Sequence, residues 1–291
     1  MLMPRSIEVD GAATAALASA DCVAPLVFLS GGIPGLTPYC SGPHIWGAGL
    51  DALARERAVL AFDLGLGAAG APDAGIGVDT LVDQMRAILA AQGVARCHMI
   101  AHDLAGLIAL LLATESPTLV RAVSVVSSGA AAPSGDGVDN LCFAHPPLPQ
   151  WGRAAQRWAL ERVSYSHQHI DGALLDACVA ASAAAAQRTA APAMSTPPLA
   201  DVFMPSLAAA KARLYETCRG AGVPVPVQII WGTHDPLATL EQGLALYQII
   251  AARQPATQFH VLNRAGSLPF REEPETFLQV VRAFGEVVFP G

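Results

Sequence analysis

Met99-Ile100-Ala101-His102-Asp103-Leu104-Ala105-Gly106 is the stretch that decides how this 291-residue chain folds. An apolar run, Cys97–Ile100, enters a small-x-polar-x-small turn and leaves at once into helix material, Leu107–Ala113. A strand that reverses this sharply into a helix presents its central side chain, Asp103, above the sheet. The flanking positions, here Ala101 and Ala105, must then be small for strand and helix to pack. The bland reading of the same residues is an Asp that caps the helix that follows it.

Outward from this turn, apolar runs recur at Leu26–Leu29, Ala58–Phe62 and Ala122–Val126, each bounded by turn residues. Helix-length segments lie between them, such as Thr80–Gln92 with Leu81, Met85, Ile88 and Leu89 on one face. Continuous apolar strands alternating with amphipathic helices predict an α/β fold, a mostly parallel sheet flanked by helices. Ile7–Val9 followed by Asp10-Gly11 predicts a hairpin at the start. The alternation breaks after Ser127. A Gly/Pro-rich entry, an Ala-rich stretch (Ala180–Ala193) and a Pro-rich segment (Ser195–Pro205) run to about Gly222, with helices predicted over Trp151–Val163 and Ala173–Ala186. Strands return at Val225–Trp231 and Gln258–Leu262, and a last helix at Pro274–Val287. The expected organisation is a core of residues 1–127 and 223–291, interrupted by a helical lid over 128–222.

Composition narrows the function classes. With 53 % hydrophobic and 14 % charged residues, general disorder is excluded. The net charge is -7, and Lys211 is the sole lysine beside 16 arginines. No basic run interleaves with aromatics, so nucleic acid is not an expected partner. The most apolar stretch, Leu104 to Ala113, is about half a membrane span, and no signal peptide is expected. The six cysteines (22, 40, 97, 142, 178, 218) are scattered, as expected of buried free thiols in a cytoplasmic protein. Neither a cofactor nor a metal is expected, since His167-x-His169 lacks acidic support. Oligomeric state is open, a homodimer included.

Five motifs resemble the α/β-hydrolase superfamily, especially the branch of meta-cleavage-product hydrolases, haloalkane dehalogenases and epoxide hydrolases. The elbow at Asp103 is one. Leu26–Gly35, LVFLSGGIPG, is similar to the H-G-x-x-P-G loop, with Ser30 where His is usual, and Phe62–Gly67, FDLGLG, resembles the D-x-x-G-x-G turn one residue short. Ile230–Leu237, IWGTHDPL, resembles the stretch that supplies the catalytic acid and puts Asp235 there. Asn263–Phe277, NRAGSLPFREEPETF, resembles the A-G-H ending with Ser267 in place of the His. The resemblance implies an α/β-hydrolase fold, a lid, an oxyanion hole from the backbone N–H groups of Gly32 and Leu104, and catalytic roles at Asp103, Asp235 and position 267.

Two departures shape the expected chemistry. The nucleophile position holds a carboxylate, which needs no base to ionise it. The base position holds a hydroxyl, which cannot activate water to release an ester. His102 and His234 adjoin the two aspartates, His44 follows the oxyanion loop, and His145, His167 and His169 belong to the insertion. His98 and His260 read as strand residues. His102, Trp46, Arg264 and Trp151 are candidate substrate contacts, with Trp158 and Phe203 as further pocket candidates. Asp136 and Asp139 are weaker acid candidates, and Glu272 and Glu273 read as structural. The first expectation is an enzyme on a small apolar or aromatic molecule, using Asp103 as acid, base or nucleophile in a non-hydrolytic reaction of lyase, cyclase or isomerase type, in biosynthesis or catabolism. The alternatives are a dehalogenase- or epoxide-hydrolase-like hydrolase with a surrogate base, and a catalytically silent small-molecule-binding relative.

Overall fold

The computed structural model of the protein describes residues 2–9, 12–19, 25–32, 37, 39–64, 77–133, 143, 146–183, 197 and 199–288. Eight strands among these form one sheet: β1 (Met3–Val9), β2 (Ala12–Ala18), β3 (Leu26–Ser30), β4 (Val59–Asp63), β5 (Cys97–His102), β6 (Val120–Val126), β7 (Val227–Gly232) and β8 (Thr257–Leu262). Their order is β1-β2-β4-β3-β5-β6-β7-β8. β1 pairs antiparallel with β2 from Val9↔Ala12 outward, and β2 pairs antiparallel with β4. All other pairs are parallel. The expected hairpin is therefore present, while its turn, Asp10-Gly11, lies outside the described residues.

Burial on both faces explains the continuous apolar runs. Along β3, Val27 and Leu29 face one core, and Leu26 and Phe28 face the other. The first core lies under α2 (Val78–Ala91), α3 (Leu104–Glu115), α6 (Met204–Arg219) and α7 (Leu240–Ala251); the second lies under α1 (Ala48–Ala54), α8 (Pro269–Glu272) and α9 (Pro274–Val288). α3 is buried all round from Leu104 to Ala113, so its sequence shows no polar face. α9 buries Phe277, Leu278, Val281 and Phe284 and turns Glu275 and Glu286 to solvent.

Within the stretch the sequence sets apart, α4 (Arg153–Val163) and α5 (Gly172–Ala183) pack on each other and join the second core, whereas α6 packs on α2, α3 and α7. α4 begins two residues later than predicted because Trp151 has φ 69, outside the helical region, and Gly152 caps the helix. α5 ends at Ala183; the remainder of the predicted Ala-rich helix lies outside the described residues, as do Asp136, Asp139 and His145.

The topology fixes where a site can form. β3 lies between β4 and β5, so the chain leaves β3 toward one edge and later returns to its other side at β5. Connections diverge at such a point and open a crevice beyond the strand ends. Gly31 and Gly32 follow β3 there, and Asp103 follows β5.

Candidate active site

The elbow has the strained geometry that its sequence predicts. Asp103 sits at φ 57, ψ -129, with no side-chain hydrogen bond capping α3. Ala101 and Ala105 are fully buried, and a Cβ on Gly106 would stand 2.7 Å from the Ser128 side chain. Ser128 Oγ donates to the Asp103 carbonyl, and Asp103 N–H donates to Val126 O at 3.2 Å. The turn is thus held from β6 while the carboxyl is left over. That carboxyl lies against the oxyanion loop: a Cβ on Gly32 would come within 2.8 Å of Asp103 Oδ2 and 2.1 Å of Thr37 Oγ1. Only a residue without a side chain permits so close an approach.

Asp235 follows β7 and is 6 % exposed. Its Oδ1 accepts from Leu237 N (2.9 Å), Ala238 N (3.2 Å) and Ser267 Oγ (2.5 Å). Ser267, 2 % exposed, receives three further constraints. Its N–H donates to Val163 O at 2.8 Å, its carbonyl accepts from His102 Nε2 at 2.8 Å, and Gly266 N–H donates to Glu272 Oε2 at 2.7 Å. Glu272 Oε1 also accepts from Ser166 N at 2.7 Å, which ties the exit of α4 to the same loop. The hydroxyl at the base position is therefore a donor to the acid, fixed from four directions.

Burial pushes the Asp103 carboxyl up to about 7, the Asp235 charge adds to the rise, and the Leu104 N–H opposes it. Burial likewise pushes Asp235 up to about 6 against the three donors on its Oδ1 and the nearby Ser127 hydroxyl. In a dry site two carboxyls of this kind hold on to protons that free aspartates lose. Asp103, with fewer donors, is the one that keeps its proton to higher pH.

The other candidates are placed as follows. His102 is buried edge-on between Trp46 and Phe270, with ring centroids 6.3 and 5.2 Å away. Burial lowers its pKa to about 4, so it stays neutral and donates to Ser267. Trp46 is 1 % exposed and packs on Phe28 and Phe270 in the second core. Arg264 is exposed in the turn after β8, and Trp151 lies beside α5, its carbonyl accepting from Ser182 Oγ at 3.5 Å. None of these four is brought to the carboxyl pair by a hydrogen bond among the described residues. Phe203 is wholly buried in the first core, and Trp158 carries Arg162 over its ring at 4.5 Å. Elsewhere His98 bonds Ser124 Oγ, His44 bonds Cys40 O, His169 bonds Ser164 Oγ, His167 bonds Glu161 O, His234 bonds Thr233 Oγ1 and His260 bonds Gln258. No described imidazole hydrogen-bonds to Asp103.

Two residues escape sequence reasoning. Tyr39 is 3 % exposed, and burial together with the charges of Asp103, Asp235, Cys178 and Asp63 drives its phenol well above its usual range. Asp63 closes β4, accepts from Ser41 Oγ at 2.7 Å and from Leu64 N at 2.8 Å, and is pushed by burial up to about 6. Asp63 had a signal, its place in FDLGLG. Tyr39 had none, because its only distinction is which loops fold around it.

No helix among the described residues is long and apolar enough to cross a membrane. The described cysteines 40, 97, 178 and 218 are free and buried; Cys22 and Cys142 lie outside the described residues.

Comparison with known proteins places this geometry. An uncharacterized protein of Mycobacterium tuberculosis is 25 % identical over 280 residues, covering 91 % of this chain and 76 % of the relative. A putative carbamate hydrolase of Azorhizobium caulinodans is 30 % identical over 118 residues, 40 % of this chain and 41 % of that one. Among solved structures, a meta-cleavage product hydrolase from Pseudomonas fluorescens superposes with TM-score 0.74 at 19 % identity over 98 % of both chains. A 2-hydroxy-6-oxo-6-phenylhexa-2,4-dienoate hydrolase from Rhodococcus gives 0.71 at 19 % identity over 98 % of both. At these identities the superpositions bear on fold alone. A family model matches residues 26–280, from the first central strand into the last helix, and the chain belongs to the alpha/beta hydrolase family.

Proposed function

We propose that the protein is an enzyme whose Asp103 and Asp235 act as a proton donor and acceptor on a small apolar or aromatic molecule, in a non-hydrolytic reaction of lyase, cyclase or isomerase type. One observation carries the reading: Ser267 stands at the base position and donates to Asp235, while no described imidazole hydrogen-bonds to Asp103. An ester formed on Asp103 would then lack a base to activate water against it. A buried carboxyl that is still protonated near neutrality can deliver its proton, and its ionised partner can take one up. Asp103, the less solvated by donors, is the acid of the pair; Asp235, held by three donors, is the acceptor. We assign to the Gly32 backbone, beside the Asp103 carboxyl, the role of meeting negative charge that builds on a substrate oxygen; the Leu104 N–H is engaged by Asp103 and would join it only when that carboxyl shifts.

Similarity to proteins described as hydrolases favours a second reading, hydrolysis. Exposure to a simple epoxide and a haloalkane, followed by intact-mass measurement, separates the two. Under the proposed reading product does not accumulate beyond one equivalent, and any adduct disappears in Asp103→Asn. Sustained turnover of either probe overturns it in favour of a hydrolase. With a true substrate, Asp103→Asn is expected to lower kcat by about a thousandfold.

A further inference from the structure

Among the described residues the carboxyl site has no counter-charge. Charged groups that act on Asp103, Asp235 and Tyr39 are carboxyls and a thiol, and no Arg, Lys or His is among them. Arg271, the cation of the surrounding wall, donates instead to the carbonyls of His44, Ile45 and His169. His102 is neutral and faces the Ser267 carbonyl. Arg86, Arg153, Arg157, Arg213 and Arg282 stand in ion pairs at the surface.

A second observation is independent of charge. Asp235 Oδ2 and Ser127 Oγ are both buried without a well-formed hydrogen bond among the described residues; the Ser127 hydroxyl acts on the Asp235 carboxyl and favours its charge, but without the geometry that closes off Oδ2. Asp235 is 6 % and Ser127 5 % exposed. A buried acceptor with no donor is costly unless something outside the chain supplies one. Asp103 Oδ2, uncapped over Gly32, adds another acceptor at the same crevice.

From this geometry we infer that the site takes a small apolar or aromatic molecule bearing a protonated amine, whose ammonium group lies between Asp103 and Asp235. An ammonium carries three donors and one positive charge, which match the open acceptors and the missing counter-ion. Where the resemblance implies an imidazole, which becomes a cation on taking up a proton, this chain has Ser267, which leaves the place of a positive charge to the ligand. The inference names the substrate class of the site proposed above, and rests on that reading for the pair but not for the reaction. Proton balance follows: near pH 6.5 the empty pair retains protons, and ammonium binding ionises it and releases up to one proton to buffer.

The test is calorimetry with benzylamine, benzyl alcohol and benzoate at pH 6.5, in two buffers of different ionisation enthalpy. Benzylammonium is expected to bind about tenfold or more tightly than benzyl alcohol, equivalent to ~1.4 kcal/mol, and to release protons. Its affinity should fall as the pH drops to 5, and both Asp103→Asn and Asp235→Asn should lose the preference. Equal affinity for the alcohol, a preference for benzoate, or no measurable binding of benzylammonium overturns the inference. Should either variant fail to fold, the pH dependence of the wild-type protein decides. A neutral preference sinks the amine and leaves the reaction standing; full activity of Asp103→Asn sinks the reaction and leaves the binding result intact.

Discussion

Asp103 and Asp235 end neighbouring parts of the same sheet edge, yet their surroundings are opposite. Asp235 Oδ1 takes three donors within 3.2 Å, from two backbone N–H groups and the Ser267 hydroxyl. Asp103 has only the Leu104 N–H to favour its charge, and it stands on a backbone turn at φ 57 that most residues avoid. The first is a structural joint between β7, α7 and the Ser267 loop as well as a carboxyl. The second contributes little to the fold and is free to act. Strain and few partners mark the carboxyl proposed as the acid; dense partners mark the one proposed as the acceptor.

Removing each side chain should therefore have opposite effects on stability. Asp235→Ala leaves two backbone donors and a hydroxyl without an acceptor in a buried site, and is expected to cost about 3 kcal/mol in urea unfolding at pH 6. An unchanged midpoint would abolish the contrast.

Asp103→Asn should go the other way. Its folded pKa of about 7 lies above the ordinary carboxylate value of about 4, so between those values the folded protein binds more protons than the unfolded chain. Stability therefore falls as the pH rises through that window, and the variant escapes the fall. At pH 8 the variant is expected to exceed the wild type by on the order of 2 kcal/mol, with the gap closing below about pH 4. Thermal unfolding across pH checks this. A variant less stable than the wild type at pH 8 would show that Asp103 is structural after all.

A smaller effect sharpens the Asp235 side. His102→Phe keeps an aromatic ring beside Trp46 and Phe270 but leaves the Ser267 carbonyl without its donor, at a cost of ~1–2 kcal/mol. The loop that carries Ser267 should then exchange amide hydrogens faster, while the elbow backbone remains protected. At the far end of the scale, Arg282→Ala removes an exposed pair with Glu56 in which both side chains stay about a third or more accessible to solvent. It is expected to change stability by under ~0.5 kcal/mol.

Much of this molecule is legible in its residues. Continuous apolar runs mark β3 through β6, because a strand covered on both faces needs no polar side, whereas the edge strand β8 is polar and half-exposed. The small residues around Asp103 mark the turn, and the carboxyl and hydroxyl at positions 103 and 267 announce a departure in chemistry. By sequence His102 is a candidate substrate contact as the neighbour of Asp103, and Trp46 as an aromatic able to line a pocket; the structure buries both rings against Phe270. A residue beside the elbow centre points to the other face, and here that face is the second core.

Chain order and local chemistry alone determined the family fold, the strained carboxyl at position 103, and the want of an imidazole at position 267, since each depends on residues a few places apart. Tertiary structure alone decided that Tyr39 stands among the carboxyls, that His102 holds the Ser267 loop, and that no cation among the described residues acts on the pair. Those facts depend on which side chains from distant segments share one dry space, and both hydration and charge are set by that sharing rather than by any residue's neighbours in sequence.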